Sequence, residues 1–152
     1  MIQRIQSLYL SAVCMAMFFF LKLPIWEKVD LDSLCTIMPY ALIVFKEQYI
    51  IFPYGLSALL ACCLAVTAAY AIVRHDSRKL QLRLTARISL TLVLLIILTL
   101  FLVKKANTAY MLQGYSSYKI GIFFPFIALM ANLLARYYIK KDEQLVNEDR
   151  LR

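Results

Sequence analysis

The hydrophobic positions of this chain gather into four long runs that polar segments separate. Each run approaches the roughly 20 residues that an α-helix needs to cross a bilayer. A backbone in lipid must satisfy its own hydrogen bonds, so each run predicts one membrane-spanning helix. The pattern therefore predicts an all-α fold, an integral membrane four-helix bundle that forms a single domain over residues 1–152. The predicted spans are about residues 5–23, 50–73, 84–103 and 120–139, followed by a polar cytoplasmic tail at 140–152.

The segment between the first two spans, residues 24–49, mixes charged, aromatic and apolar residues. Its apolar centre, residues 34–45, is too short to span a bilayer and is interrupted by Pro39. Trp26, Tyr40 and Tyr49 are typical of the headgroup level, where amphipathic rings concentrate. We expect an interfacial outer segment, either a helix lying in the membrane surface or a flap packed on the outer mouth of the bundle. A ligand-binding lid is the alternative.

The charges of the polar segments predict the orientation of the bundle. The connector at residues 74–87 carries five Lys and Arg residues against one acid, Asp76. Lys and Arg beside a span tend to stay cytoplasmic. If the connector and both termini lie inside, all eight Arg residues are inside and six of the nine Lys residues are outside. The sequence therefore predicts that the amino and carboxyl termini are both cytoplasmic.

The composition excludes an ordinary soluble domain, since 62% of the residues are hydrophobic and the mean hydropathy is +0.71. Soluble domains are only about half apolar. The net charge of +8 is compatible with nucleic-acid binding, but the cations border the spans. Anionic lipid headgroups at the inner face account for them there. We therefore expect membrane lipids as partners, together with another membrane protein or a second copy of this chain, and no nucleic acid.

The second span contains a stripe of small residues at intervals of four. Small residues let helix backbones approach closely, and van der Waals packing is a main source of helix association in lipid. We predict that the helix-packing seam of this span consists of Ser57, Ala61, Ala65 and Ala69, and that Leu64 faces lipid.

The fourth span contains Asn132, the one strongly polar amide deep in any predicted span. We expect it to form a hydrogen bond with a neighbouring helix rather than to bind a ligand. Pro125 follows Gly121 by four residues and predicts a kink in the outer half of this span.

The third span has an apolar core of only 16 residues, 88–103. We expect its helix to continue into the connector, because Lys79, Arg83 and Arg87 then repeat every four residues on one face. This face contacts either anionic lipid or a protein partner. The residues predicted to form this cytoplasmic docking or lipid-contact surface, with the end of the tail, are Arg78, Lys79, Arg83, Arg87, Asp149, Arg150 and Arg152.

No arrangement of residues in the sequence indicates catalysis. His75 is the only histidine, which excludes a haem held by two histidines and any metal site with several histidines. There is no Cys-x-x-Cys pair, and the four cysteines (Cys14, Cys35, Cys62 and Cys63) are expected to be small apolar packing residues. No acid or base lies well inside a predicted span, where carriers usually mark their pathway. We predict no cofactor, no metal and no enzymatic activity.

Three stretches together resemble a known family. They are residues 1–6 (Met-Ile-Gln-Arg-Ile-Gln), residues 78–84 (Arg-Lys-Leu-Gln-Leu-Arg-Leu) and the end of the tail, residues 141–152. The chain is similar in these stretches to an uncharacterised bacterial family of small four-span membrane proteins, a domain-of-unknown-function family typical of the Bacteroidetes. The resemblance implies a four-span topology and a multi-pass location in the bacterial inner membrane, and it implies no activity.

These observations lead to a functional hypothesis. We expect a non-catalytic accessory or scaffold subunit of a larger inner-membrane complex, which docks through its cytoplasmic connector and tail. The alternative is a small transporter or channel that works as an oligomer, because four helices alone enclose little space. An enzyme that acts on lipid is a third hypothesis, based only on the acidic residues of the tail.

Overall fold

The computed structural model describes residues 2–29, 34–44, 48–74, 78–109 and 115–150 of the chain. Each of its four long helices is apolar enough to cross a membrane. The predicted four-helix membrane bundle is confirmed, and the chain is a multi-pass membrane protein. The helices are α1 (Ile2–Lys22), α2 (Gly55–Val73), α3 (Arg78–Ala109) and α4 (Phe124–Arg150).

The helices form a closed ring in which each packs against its neighbour in sequence and α1 also packs against α4. The first turns of α1 meet the later turns of α4, where the Tyr9 and Tyr138 rings stack with centroids 5.6 Å apart. At the same end, Gln81 at the start of α3 donates a hydrogen bond to the carbonyl of Ala71 near the end of α2. We call this the connector end. The amino-terminal turns of α1 and the later turns of α4 therefore lie on one side of the bundle; that this side is cytoplasmic stays a prediction.

Helix α3 is longer than the apolar core of its predicted span. Its 32 residues cover about 48 Å at 1.5 Å per residue, compared with a hydrocarbon layer of about 30 Å. It begins at Arg78, which confirms that the helix continues into the connector. Helix α4 likewise extends through the polar tail as far as Arg150 instead of ending at the membrane surface.

The outer segment is a β-sheet, so the prediction of an interfacial helix is wrong. The strands are β1 (Trp26–Val29), β2 (Leu34–Ile37), β3 (Leu42–Val44), β4 (Gln48–Ile50) and, from the second outer loop, β5 (Tyr115–Tyr118). All pairs are antiparallel and the strand order is β4-β3-β2-β1-β5. In β1, Trp26 and Lys28 are buried while Glu27 and Val29 are more exposed, which is the two-residue period of a half-buried strand.

The sheet packs as a flap on the end of the bundle opposite the connector, which we call the sheet end. Cys35, Ile37 and Leu42 on its inner face belong to the same buried cluster as Phe20 and Leu64 of the helices. The flap alternative therefore describes the outer segment better than the helix did. The sheet also changes the second span, because Ile50 ends β4 and α2 begins only at Gly55.

A close backbone contact joins the fourth span to the end of α1. The Gly121 N–H donates a hydrogen bond of 3.0 Å to the Pro24 carbonyl. Residues Ile120–Phe123 form a 3-10 turn, and α4 begins at Phe124. Pro125 therefore lies in the first turn of α4, where its missing N–H costs little. The predicted proline kink is wrong, because the helix starts there instead of bending.

Candidate functional site

The buried face of α2 differs from the predicted seam. Ser57 and Ala61 are buried as expected, whereas Ala65 is only partly buried and Ala69 is exposed. Leu64, which was expected to face lipid, is 1% exposed. The residues that α2 buries are Ser57, Ala61, Leu64, Ala68 and Ala71.

Helical geometry explains this correction. A step of four residues advances 400°, so a strict four-residue repeat rotates by about 40° per step around a helix of 3.6 residues per turn. After three steps the stripe has moved about a third of the way around the helix. Ala69 therefore lies on a different face from Ser57, and the seam is followed by alternating steps of four and three residues.

Ser57 has a role that its small size did not indicate. Its hydroxyl lies 2.6 Å from the carbonyl oxygen of Pro39 and donates a hydrogen bond to it. The Ala58 N–H donates to the same oxygen at 3.1 Å. These bonds attach the loop between β2 and β3 to the start of α2, so Ser57 joins the sheet to the bundle.

Asn132 forms the interhelical hydrogen bonds that were predicted for it. Its side chain is fully buried, and its amide nitrogen donates to the Thr85 carbonyl at 2.8 Å and to the Ser89 hydroxyl at 2.7 Å, both on α3. The Asn132 amide oxygen is buried and accepts no hydrogen bond from the described residues. The amide therefore joins α4 to α3 through its donor group.

Further buried polar side chains extend this network towards the connector end. The Thr85 hydroxyl donates to the Gln81 carbonyl at 3.0 Å, and the Gln81 amide reaches the Ala71 carbonyl, also at 3.0 Å. The buried Gln6 amide of α1 donates to the Tyr138 carbonyl of α4 at 3.3 Å. Among the side chains that the structure describes, no Asp, Glu, Lys or Arg in a helix is buried as a whole, although one carboxylate oxygen of Asp142 in α4 is buried. Gln6, Gln81 and Asn132 therefore connect helices, whereas the Thr85 hydroxyl bonds within α3.

The predicted docking surface is only partly within the described structure. Arg83 and Arg87 are both exposed, one turn apart on α3 near the connector end. The tail backbone is helical as far as Arg150. The side chains of Arg78, Lys79, Asp149 and Arg150, and the whole of Arg152, lie outside the described part of the structure.

The cysteines show no arrangement for metal or redox chemistry. All four are free, and in the described ranges no three His, Cys, Asp or Glu side chains are close enough to hold a metal ion. Cys35 is buried on the inner face of the sheet. Burial raises the pKa of its thiol, and the positive charge of Lys28 opposes that shift. A raised thiol pKa makes the thiolate scarce at neutral pH, so Cys35 is expected to react slowly.

The clefts on the surface of the described structure include two of different character. The larger, of about 500 Å³, is an apolar groove between α1 and α2, and its lining includes Cys14, Phe18 and Cys62. The smaller, of about 310 Å³, lies at the sheet end between α3 and β5, and it combines apolar and polar side chains. Only the second cleft brings together residues of different chemistry from the bundle and the sheet.

Comparison with known proteins identifies a family without identifying an activity. A family model described as a domain of unknown function, DUF4293, matches residues 2–151. The chain belongs to this family. The resemblance to an uncharacterised family is confirmed, and its bacterial origin stays a prediction. No curated protein and no solved structure matches the chain.

The cleft at the sheet end of this DUF4293 chain was missed at the sequence level because a backbone pairing creates it. Strand β5 pairs with β1, so that Tyr118 lies opposite Trp26 and Ser116 opposite Lys28. The two β5 residues are exposed and line the cleft. The sequence Tyr-Ser-Ser-Tyr shows no two-residue alternation, and nothing in it indicated that the strand would pair with residues about 90 positions earlier in the chain.

Proposed function

We propose that this protein is a non-catalytic accessory or scaffold subunit of a larger complex in the bacterial inner membrane, and that it docks through its cytoplasmic connector and tail. The observation that carries the proposal is the exposure of Arg83 and Arg87 on a helix that continues beyond the apolar core of its span. A rigid helix holds both guanidinium groups on one face. Arg forms strong paired hydrogen bonds with carboxylates, which suits recognition of an acidic partner.

The bundle interior supports a structural role. Several of its buried polar side chains bond to neighbouring helices, as Asn132 does to Thr85 and Gln81 to Ala71. A proton or ion carrier usually places ionisable groups on its pathway, and the one buried carboxylate oxygen in a helix of the described structure belongs to Asp142, in the polar tail of α4. Location in the inner membrane is favoured by the resemblance, and the concentration of Arg at the connector end favours a cytoplasmic docking face.

Charge reversal at Arg83 tests the proposal. The Arg83→Glu variant should insert normally, because the other cations of the connector still determine the topology. Lys105→Glu is the matched control, since it reverses an exposed cation at the opposite end of the same helix. Each variant is purified in gentle detergent, and the amount of a stoichiometric partner that co-purifies is measured. That amount should fall at least several-fold for Arg83→Glu and stay unchanged for Lys105→Glu. Equal recovery of the same partners with both variants would show that Arg83 takes no part in docking a protein partner.

An oligomeric transporter or channel is the second candidate, and one observation favours it. The buried Asn132 amide oxygen lies in a column of polar side chains without a hydrogen-bond donor from the described residues. Such an oxygen can bind water or a cation. A defined oligomer that conducts ions in liposomes, with conduction lost in Asn132→Leu, would favour this candidate. Liposomes without ion flux, combined with a separate stoichiometric partner, would favour the scaffold.

A further inference from the structure

We propose that the cleft between α3 and β5 binds a phosphate-bearing group, and that the group is the headgroup of an anionic phospholipid in the leaflet next to the sheet. This inference is independent of the proposed docking at the connector end. It starts from the lining of the cleft, which is Trp26, Leu100, Val103, Lys104, Asn107, Ser116 and Tyr118.

The α3 side of the cleft changes from apolar to polar along the helix. Leu100, Val103, Lys104 and Asn107 are spaced by three and four residues, so they lie on one face of α3. Leu100 and Asn107 are about 10 Å apart along the axis at 1.5 Å per residue. That length exceeds one interfacial layer of a bilayer, which is about 5–8 Å thick on each side of the hydrocarbon, so this face is long enough to reach from the edge of the hydrocarbon through the headgroup level. A lipid beside this face would place its chain at Leu100 and its phosphate near Lys104.

The polar part of the cleft presents hydrogen-bond donors and positive charge. The exposed Lys104 ammonium is at its edge, and Ser116 and Tyr118 contribute hydroxyl groups from β5. The buried Lys28 ammonium donates to the Asn107 side-chain oxygen at 3.1 Å and adds a second cation behind this wall. An ammonium and several hydroxyl donors suit a phosphate oxygen, because such charge-assisted hydrogen bonds are the stronger ones.

The apolar part of the cleft favours lipid over a soluble phosphate. Leu100 is 45% exposed, and Trp26 forms a buried wall with only 2% of its surface exposed. A soluble anion would contact the donors and leave this apolar part in contact with lipid or water. A phospholipid contacts both parts, which gives it the larger complementary surface. The cleft volume of about 310 Å³ is at the small end for ligand sites and suits a headgroup rather than a whole lipid.

The single tryptophan of the chain provides a direct probe, because Trp26 lines the cleft. The protein is placed in phosphatidylcholine nanodiscs that contain a small fraction of phosphatidylglycerol with brominated acyl chains, which quench tryptophan at short range. Quenching by this lipid should exceed quenching by brominated phosphatidylcholine several-fold at the same fraction. Lys104→Gln should remove most of the excess quenching by brominated phosphatidylglycerol. Lys105→Gln, which changes an exposed cation that does not line the cleft, should leave it intact.

Competition with soluble glycerol phosphate distinguishes the source of the phosphate. If lipid is the ligand, millimolar glycerol phosphate should leave the excess quenching unchanged. If glycerol phosphate removes it and also changes Trp26 emission in lipid-free detergent, the cleft takes soluble phosphates and the lipid assignment is wrong. Equal quenching by the two brominated lipids, or equal loss in Lys104→Gln and Lys105→Gln, would overturn the site itself. Asn107→Leu provides a second, uncharged variant that should also lower the excess.

Discussion

Among the described residues, backbone-to-backbone hydrogen bonds between elements occur at the sheet end, beside side-chain bonds such as Ser57 to Pro39 and Lys28 to Asn107, whereas the connector end uses side-chain bonds. At the connector end, side-chain amides of Gln6 and Gln81 reach carbonyl groups of neighbouring helices. At the sheet end, backbone groups bond to each other, as in Lys119 N–H to the Ile25 carbonyl and Gly121 N–H to the Pro24 carbonyl, both at 3.0 Å. An α-helix already satisfies its own backbone, so side chains must supply the bonds between helices.

This difference indicates how each end responds to substitution. A side-chain bond can be removed by one change, and the helices can still pack by van der Waals contact. A backbone contact cannot be removed by substitution, but it can be blocked by a side chain that does not fit. Overpacking at the sheet end should therefore have a larger effect than loss of a polar group inside the bundle.

The largest effect is expected for Gly121→Ala at the sheet end. A Cβ at this position would lie 2.8 Å from the Leu23 carbonyl oxygen and still closer to the Pro24 oxygen. Both atoms belong to the backbone, so no side chain can move aside. We expect a loss of about 3 kcal/mol in unfolding free energy, the upper part of the range for overpacked sites. Unfolding in mixed micelles titrated with SDS measures it.

Gly55→Ala is the control for the Gly121 variant. Its Cβ would meet the Cγ2 methyl of Ile51 and the Tyr40 carbonyl oxygen, each at 3.2 Å, and a shift of a few tenths of an ångström would relieve these contacts. The alanine also improves helix propensity at the start of α2, by up to about 1 kcal/mol. We expect little net change. An equal loss in both variants would mean that the contact of Gly121 with the end of α1 is not what makes the sheet end sensitive.

The second prediction compares adjacent alanines inside the bundle. Ala68 is fully buried, whereas Ala69 belongs to the four-residue stripe but is exposed. Ala68→Leu should overpack the interface and lower the unfolding free energy by about 2 kcal/mol. Ala69→Leu should change it little, because a lipid-facing leucine contacts hydrocarbon chains. The same SDS titration measures both variants, and a larger loss for Ala69→Leu would restore the stripe as the seam.

The same contrast explains what could be predicted from the sequence. The four helices follow from the lengths of the apolar runs, and a hydrogen bond from Asn132 to some neighbouring helix follows from one amide in an apolar segment, although the sequence did not identify that helix as α3. The sheet could not be predicted in this way, because its strands are three or four residues long and its hydrogen bonds use backbone groups that every residue carries. The cleft depends on β5 pairing with β1, which no local pattern specifies. Ala69 was wrongly assigned to the packing seam because positions four residues apart rotate by about 40° per step around an α-helix.

The third prediction removes the best polar contact between helices. Asn132→Ala deletes the two bonds to Thr85 and Ser89 on α3. We expect a loss of about 1 kcal/mol, because polar contacts between membrane helices are worth about 0.6 kcal/mol on average and at most about 1.7. Leu133→Ala, at an adjacent position that is 44% exposed, is the control and should cost less. If Asn132→Ala lowered the unfolding free energy more than Gly121→Ala does, the bundle interior would be more sensitive to substitution than the sheet end, contrary to the prediction.

The smallest effect is expected for the ion pair at the sheet end, which joins Glu27 of β1 to Lys119 just after β5. The Lys119 ammonium lies 2.5 Å from the Glu27 carboxylate, and the two side chains are 40% and 22% exposed. Such a pair contributes about 0–1 kcal/mol, because solvent screens the charges and both side chains lose freedom. A double-mutant cycle with Glu27→Gln and Lys119→Gln should give a small coupling energy that falls towards zero at about 1 M salt, where the Debye length is about 3 Å.

The backbone pairing of β1 with β5 carries no net charge and should not depend on salt in this way. A coupling energy that persists unchanged in high salt would mean that the pair is shielded from solvent, and that a side-chain contact stabilises the sheet end as much as the backbone does.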